Sequence, residues 1–400
     1  MRRCRCLRNG ALLDILEQAA LDRRRVAGWT HNFYRYPARF SPEFAGAAID
    51  CFSHPGDLVL DPYMGGGTAV VEALARGRRA VGNDLNSLAT FIVKAKTTSL
   101  NNAEVRAVRR WADEVVPRLS YWVPRREVEP FVDGNKTRNL ELPCARFIKK
   151  LIAAALASIE ALPTTNVENF IRCVLLRVGQ WALDWRNSPA SAEAFRTKLA
   201  ATTHDMVNDL IAFMEQVRTR AAENPPDVYL FNEDAAQIHT IPIFAEAQER
   251  ASLVVTSPPY PGVHVLYHRW QVDGRRETPA PYWIAGCSDG AGASFYNFGD
   301  RRGSGFDTYF EASYRTLWSI RRAMAPGAYM VQMLAFGEPL SQLPRYLENM
   351  RAAGFREVLP ASKGKSPRRI WRDVPHRKWH ASISGRGCSS REVVLVHRAV

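Results

Sequence analysis

The chain has 400 residues, 46% of them apolar and 24% charged, the balance of a globular protein with a large core. Its 54 Lys and Arg outnumber 40 Asp and Glu, and the net charge of +14 favours an anionic partner, nucleic acid first, because Arg stands beside aromatics. No apolar run reaches the ~18 residues of a membrane span, and the basic start (Arg2, Arg3, Arg5, Arg8) meets Asp14 and Glu17 too soon for a secretory signal.

Seven scattered cysteines (Cys4, Cys6, Cys51, Cys144, Cys173, Cys287 and Cys388) read as reduced thiols of a cytoplasmic protein, and the Cys4/Cys6 pair has no second pair at zinc spacing. In chain order, Trp29 to Pro42 (WTHNFYRYPARFSP) is aromatic, basic and proline-punctuated, more a binding loop than a core element. Residues 57–61 follow as the first strand, 68–75 as a helix and 79–84 as a second strand ending in an acid. From 99 to 226 strand signals almost vanish, and apolar residues recur at helical spacing (Phe147, Leu151, Ala154, Ala155, Ile159), with an irregular stretch near 118–143. Strands return at 228–231 and 252–256, followed by a Gly- and Arg-rich loop from Pro261 to about Gly305, unusually long for an incidental connection. A helix at 307–324, a strand at 328–334, a helix at 340–353 and strands at 355–359 and 392–397 complete the pattern, a basic stretch separating the last two. Strand and helix alternate, which predicts a doubly wound, Rossmann-like α/β fold with a mostly helical insertion. The divisions are 1–98 (cofactor loop), 99–226 (insertion) and 227–400 (catalytic loop and long loop).

Two motifs carry the chemistry. Asp61-Pro62-Tyr63-Met64-Gly65-Gly66-Gly67-Thr68 and Thr256-Ser257-Pro258-Pro259-Tyr260 each follow a short apolar run, so both are expected on loops at one edge of a parallel sheet, where such sheets bind ligands. The glycines allow close backbone approach, and Thr68 is placed to cap the next helix. The turn lacks the Gly-Lys-Ser/Thr ending of a phosphate loop, and Val70 stands where a dinucleotide fingerprint needs its third glycine. Asp84, ending the second strand, is suited to accept from two ribose hydroxyls.

Together the motifs resemble those of the S-adenosylmethionine-dependent amino-methyltransferases that act on exocyclic amines of DNA bases, and Ser before Pro-Pro looks most like the cytosine-N4 branch. The resemblance covers residues 29–98 and 228–400. It implies a seven-stranded sheet with an antiparallel last strand. It also implies a cofactor site of Phe40, Asp61, Pro62, Tyr63, Gly65, Gly67, Thr68, Asp84, Leu85, Asn86, Asp234 and Ala235, with Glu233 beside Asp234 as a substitute for the adenine contact. Ser257, Pro258, Pro259 and Tyr260 would form the catalytic turn. Ser257 Oγ and the Pro258 carbonyl would accept from the target amine, and the Tyr260 ring would stack on the base. No metal is required. The target base would flip out of double-stranded DNA, with Arg269, Arg275, Arg276, Arg301 and Arg302 as phosphate or base contacts, interleaved with Trp270, Tyr282 and Trp283. His264 and His268 sit at metal spacing without a third ligand. The implied setting is prokaryotic and nucleoid-associated, in restriction–modification with a cognate endonuclease or in self-marking. Adenine-N6 in DNA, guanine-N2 in RNA and a non-catalytic nucleic-acid-binding subunit are the alternatives. The cofactor motif precedes the catalytic motif, the reverse of many cytosine-N4 enzymes.

Overall fold

The computed structural model describes residues 10–24, 26–37, 39–186, 190–221, 224–261, 269–274, 276–290, 298, 304–359, 366, 368–373 and 391–400. The chain runs α1 (Gly10–Leu21), α2 (Pro42–Phe52), β1 (Leu58–Asp61), α3 (Thr68–Ala75), β2 (Arg79–Asn83) and α4 (Ser87–Thr97). A helical segment follows: α5 (Asn102–Arg110), α6 (Arg125–Val128), α7 (Arg146–Ile159), α8 (Thr165–Leu183) and α9 (Ala192–Arg220). It returns through β3 (Val228–Phe231), α10 (Pro242–Ala245), β4 (Ala251–Thr256), β5 (Trp270–Val272), β6 (Arg276–Thr278) and α11 (Ala280–Ala285). Last come α12 (Ser304–Ala323), β7 (Met324–Ala335), α13 (Pro339–Ala352), β8 (Phe355–Glu357), β9 (Ile370–Asp373) and β10 (Arg391–Ala399).

The main sheet has the order β3-β2-β1-β4-β7-β10-β8, with β9 pairing β10. The strands from β3 to β7 are parallel, and β10 runs antiparallel between β7 and β8. Every residue of β1 is buried, as expected of a strand covered on both faces. Two apolar cores sandwich the sheet. One joins α2, α3 and α4 to α7, α8 and α9 of the helical segment; the other lies under α12 and α13. Strand order reverses between β1 and β4, and the ligand-binding crevice of an open α/β sheet forms outside the strand ends at such a switch point.

Several expectations need correction. The long loop after the Ser-Pro-Pro-Tyr turn contains regular elements: Trp270–Val272 and Arg276–Thr278 pair as a hairpin and α11 follows. Trp270, Tyr282 and Trp283 are buried rather than displayed, because they pack onto the helical segment. A Cβ on Gly179 of α8 would lie 2.8 Å from Trp270 Cη2. Within the Trp29–Pro42 stretch, Phe33 and Tyr34 are fully buried, so much of it is core. The basic stretch before the last strand contributes β9, and β7 extends through Pro326-Gly327, where a helix end was expected. No helix among the described residues is long and apolar enough to cross a membrane.

Candidate active site

Both motifs lie at the carboxyl edge of the sheet, and a hydrogen bond joins them: Thr256 Oγ1, ending β4, donates to Asp61 Oδ1, ending β1, at 2.7 Å. Asp61 also accepts from the Tyr63 amide at 3.2 Å. Its carboxyl is 2% exposed, and burial pushes its pKa up to about 7. Asp61 therefore lies beneath the turn and braces it.

Asn83 ties the neighbouring strand ends in the same way. Its side chain donates to the Glu233 carbonyl and accepts from the Glu233 amide, each at 3.0 Å, and donates to the Pro62 carbonyl at 3.4 Å.

The glycine turn is held from three sides. Asp84 Oδ2 accepts from the Gly65 amide at 2.8 Å while Oδ1 accepts from Asn86 N at 2.9 Å. Burial raises the Asp84 carboxyl to about 6. Gly65 and Gly67 have φ of +46° and +75°, the left-handed region that favours glycine. Cβ atoms would meet Tyr36 Cε1 at 3.1 Å and Val93 Cγ2 at 2.5 Å respectively. Gly67, not Thr68, is the N-cap of α3, and Thr68 is its first, buried residue. From below, the buried Lys96 Nζ donates to the Gly66 carbonyl at 2.6 Å; burial lowers its pKa to about 7. His31 and Glu72 pair beside it at 2.7 Å, and Glu72 is also bonded to Arg76.

Asn86 caps α4 through Leu88 N, donates to Tyr36 OH and accepts from Tyr282 OH, so it fastens the Trp29–Pro42 stretch and α11 to the turn. Leu85 is half-buried next to it, and Phe40 packs edge-on against Phe44 at 5.7 Å. Tyr63 packs edge-on against Phe298. Asp234 is exposed and caps the 3₁₀ turn Ala235–Thr240 through Ala236 N. Ala235 is buried, and a cleft of about 380 Å³ opens from Asp234 towards Tyr314 and Trp318 of α12.

In the catalytic turn, Tyr309 OH donates to the Pro259 carbonyl at 2.9 Å, and no described residue donates to the Pro258 carbonyl. Ser257 Oγ lies 3.3 Å from Tyr260 OH. The Tyr260 hydroxyl lies 2.8 Å from Glu392 Oε1, and Arg372 Nε donates to Glu392 Oε2 at 2.6 Å. Burial first, then the neighbouring carboxylate, pushes the Tyr260 phenol far above its ordinary value.

Of the arginines assigned to DNA, Arg269 is ion-paired with Asp289 at 2.6 Å and lies near Glu277, its side chain only 14% exposed. Arg276 is exposed on the hairpin beside Asp273. Arg275, Arg301, Arg302, His264 and His268 lie outside the described residues. The basic Trp29–Pro42 stretch builds a second basic group that local reading could not complete: Arg35 and Arg39 face Arg177 of α8, with the Arg35 backbone bonded to the Gln180 side chain at 3.2 and 3.1 Å. Burial and then the two neighbouring guanidiniums lower Arg39 to about 10. Sequence reading quoted Thr256 in its motif and singled out the stretch that holds Tyr36, but saw neither hydrogen bond, and it gave no role to Asn83, Glu392 and Arg372. The polar residues among them carried a signal only in standing beside a motif.

This sheet order, switch point and glycine turn define a Rossmann-like α/β fold and resemble those of the S-adenosylmethionine-dependent methyltransferases. A half-buried carboxylate with spare acceptor capacity at Asp84, bonded to the glycine turn, fits that cofactor. Residues 18–94 match a family model described as DNA methylase, of the N6/N4 type. The Type II methyltransferase M.MvaI of Kocuria varians is 31% identical over 105 residues, 24% of this chain and 23% of that protein. The Type II methyltransferase M.MjaII of Methanocaldococcus jannaschii is 27% identical over 66 residues, 16% of this chain and 12% of that protein. The chain thus spans about a quarter or less of the length of these curated relatives. Among solved structures, the rRNA methyltransferase aviRa of Streptomyces viridochromogenes overlaps 95% of this chain and 94% of its own at 11% identity and a TM-score of 0.35, too loose an overlap to bear on function. In its motifs and over these partial matches, the chain is similar to the DNA amino-methyltransferases.

Proposed function

We propose that this protein methylates the exocyclic N4 amine of cytosine in DNA, using S-adenosylmethionine. The observation that carries the reading is the bond from Thr256 to Asp61, which sets the Ser-Pro-Pro-Tyr turn directly beside the glycine turn. When bound, S-adenosylmethionine supplies an electrophilic methyl group on a sulfonium. An exocyclic amine is a poor nucleophile because its lone pair is spread into the ring. Acceptors already aimed at its hydrogens draw the nitrogen towards tetrahedral geometry and stabilise the charge that develops. Ser257 Oγ and the Pro258 carbonyl, to which no described residue donates, are suited to those places, while Tyr309 holds the turn by the Pro259 carbonyl. Two prolines stiffen the turn without offering amide donors.

Base flipping brings the amine to this turn in duplex DNA. Arg35, Arg39 and Arg177, together with the exposed Arg276, supply positive charge for the backbone. A role in restriction–modification, with a cognate endonuclease, or in self-marking belongs to the same reading.

The test is incubation with isotopically labelled S-adenosylmethionine and unmethylated genomic DNA, followed by nucleoside mass spectrometry. Labelled N4-methylcytosine is expected. Labelled N6-methyladenine would overturn the choice of base, and no labelled nucleoside despite retained cofactor binding would overturn DNA methylation itself.

A further inference from the structure

We infer that Glu392 is a positioning residue that, through Tyr260, fixes the Ser257 hydroxyl as a hydrogen-bond acceptor for the substrate amine. This rests on the methyl-transfer reading above and adds residues from the far end of the chain to the catalytic turn.

A serine hydroxyl can donate or accept, and left alone it rotates between the two. A donated proton facing the amine would oppose the reaction, so the direction of that bond matters. Glu392 removes the choice. It is 6% exposed, and its Oε2 is taken by the Arg372 guanidinium at 2.6 Å, which holds the group as an ion pair. Arg372 is itself pinned by the Ala20 carbonyl at 3.3 Å. A carboxylate only accepts, so the Tyr260 hydroxyl at 2.8 Å must donate its single proton to Glu392 Oε1. The phenol oxygen is then an acceptor, and Ser257 Oγ–H, 3.3 Å away, donates to it. The Ser257 lone pairs are left for the amine hydrogens. The strand pairing brings this about: Glu392, the second residue of β10, stands opposite Arg372 of β9 and Ala335, the last residue of β7, so both charges stand at the carboxyl edge. The same contacts hold the Tyr260 hydroxyl end in place, leaving the ring to serve as the stacking face.

The experiment measures kcat at saturating DNA and cofactor, and cofactor affinity by calorimetry, for Tyr260→Phe, Glu392→Gln, the double variant and Ser257→Ala. One oriented hydrogen bond contributes about 0.5–1.5 kcal/mol, so Tyr260→Phe should lower kcat by about 2–13-fold with cofactor affinity unchanged. Glu392→Gln, whose amide no longer dictates direction, should lower kcat alone, yet add nothing in the Tyr260→Phe background. A purely structural ion pair would instead give the same loss in both backgrounds, which would overturn the inference. Wild-type kcat in Tyr260→Phe would overturn it too, without depending on the folding of any Glu392 variant. Full activity in Ser257→Ala would sink the methyl-transfer reading of the turn. An inactive Ser257→Ala beside a fully active Tyr260→Phe would sink only the relay.

Discussion

Gly67→Ala tests whether the turn before α3 is as tightly determined as its geometry implies. The substitution adds one methyl group and meets two separate penalties. At φ +75° an alanine is held in the left-handed region, at about 1–2 kcal/mol. Its Cβ would lie 2.5 Å from Val93 Cγ2 and 3.0 Å from Cγ1, inside van der Waals contact with a fully buried side chain. Such overpacking costs about 1–3 kcal/mol. The sum, about 2–5 kcal/mol, is a large part of the ~5–15 kcal/mol that stabilises a typical domain. Urea unfolding of wild type, Gly67→Ala, Val93→Ala and the double variant separates the terms. In the Val93→Ala background the steric share should vanish, leaving about 1–2 kcal/mol of backbone strain. A Gly67→Ala protein within about 0.5 kcal/mol of wild type, the scatter of ordinary surface changes, would refute the reasoning. So would an equal loss in both backgrounds, because Val93 would then not be the obstacle.

Thr256→Val removes the donor to the buried Asp61 and should cost about 1.5–3 kcal/mol in urea unfolding, with Thr256→Ser restoring most of it; equal stability of the Val and Ser variants would refute the tie. Lys96 has a folded pKa of about 7 against an ordinary 10.5, so between these values the unfolded chain binds the extra proton and stability rises with pH. Wild-type stability relative to Lys96→Met should climb by about 1.4 kcal/mol per pH unit from pH 7 towards 10, and parallel pH curves would count against a buried, neutral lysine. Asp84→Ala should weaken S-adenosylmethionine binding at least about 10-fold by calorimetry, the loss of one charge-assisted hydrogen bond, and unchanged affinity would remove Asp84 from the cofactor site.

The strands that position the site were legible because each is a short apolar run closed by a Gly- or Pro-rich turn. Leu58–Asp61 and Ala251–Thr256 are buried on both faces, and such strands read as continuous apolar segments. The hairpin at 270–278 was not legible. Its strands have three residues each, and its order depends on Trp185 N donating to the Gln271 carbonyl and Gln271 N to Asp184. Those partners lie in the helical segment, beyond any local window. The cap of α3 was misassigned to Thr68 because a left-handed glycine leaves no side-chain signal, whereas a threonine does. Glu392 stands 132 residues from Tyr260, so only strand pairing brings it to the catalytic turn.

The docking of residues 269–290 onto the helical segment bears on how this protein can be rebuilt. Trp270 abuts Gly179, the Asn139 side chain donates to the Glu277 carbonyl, Arg172 donates to the Ile284 carbonyl, and Trp283 donates to the Phe131 carbonyl. Two stretches far apart in sequence are thereby mortised into one block, so the interval between β2 and β3 is not a cassette. Grafting a new helical segment alone would leave Trp270, Tyr282 and Trp283 without their packing partners. The unit to exchange is the helical segment together with 269–290, and a chimaera that respects that joint keeps the catalytic turn attached to the surface it was folded against.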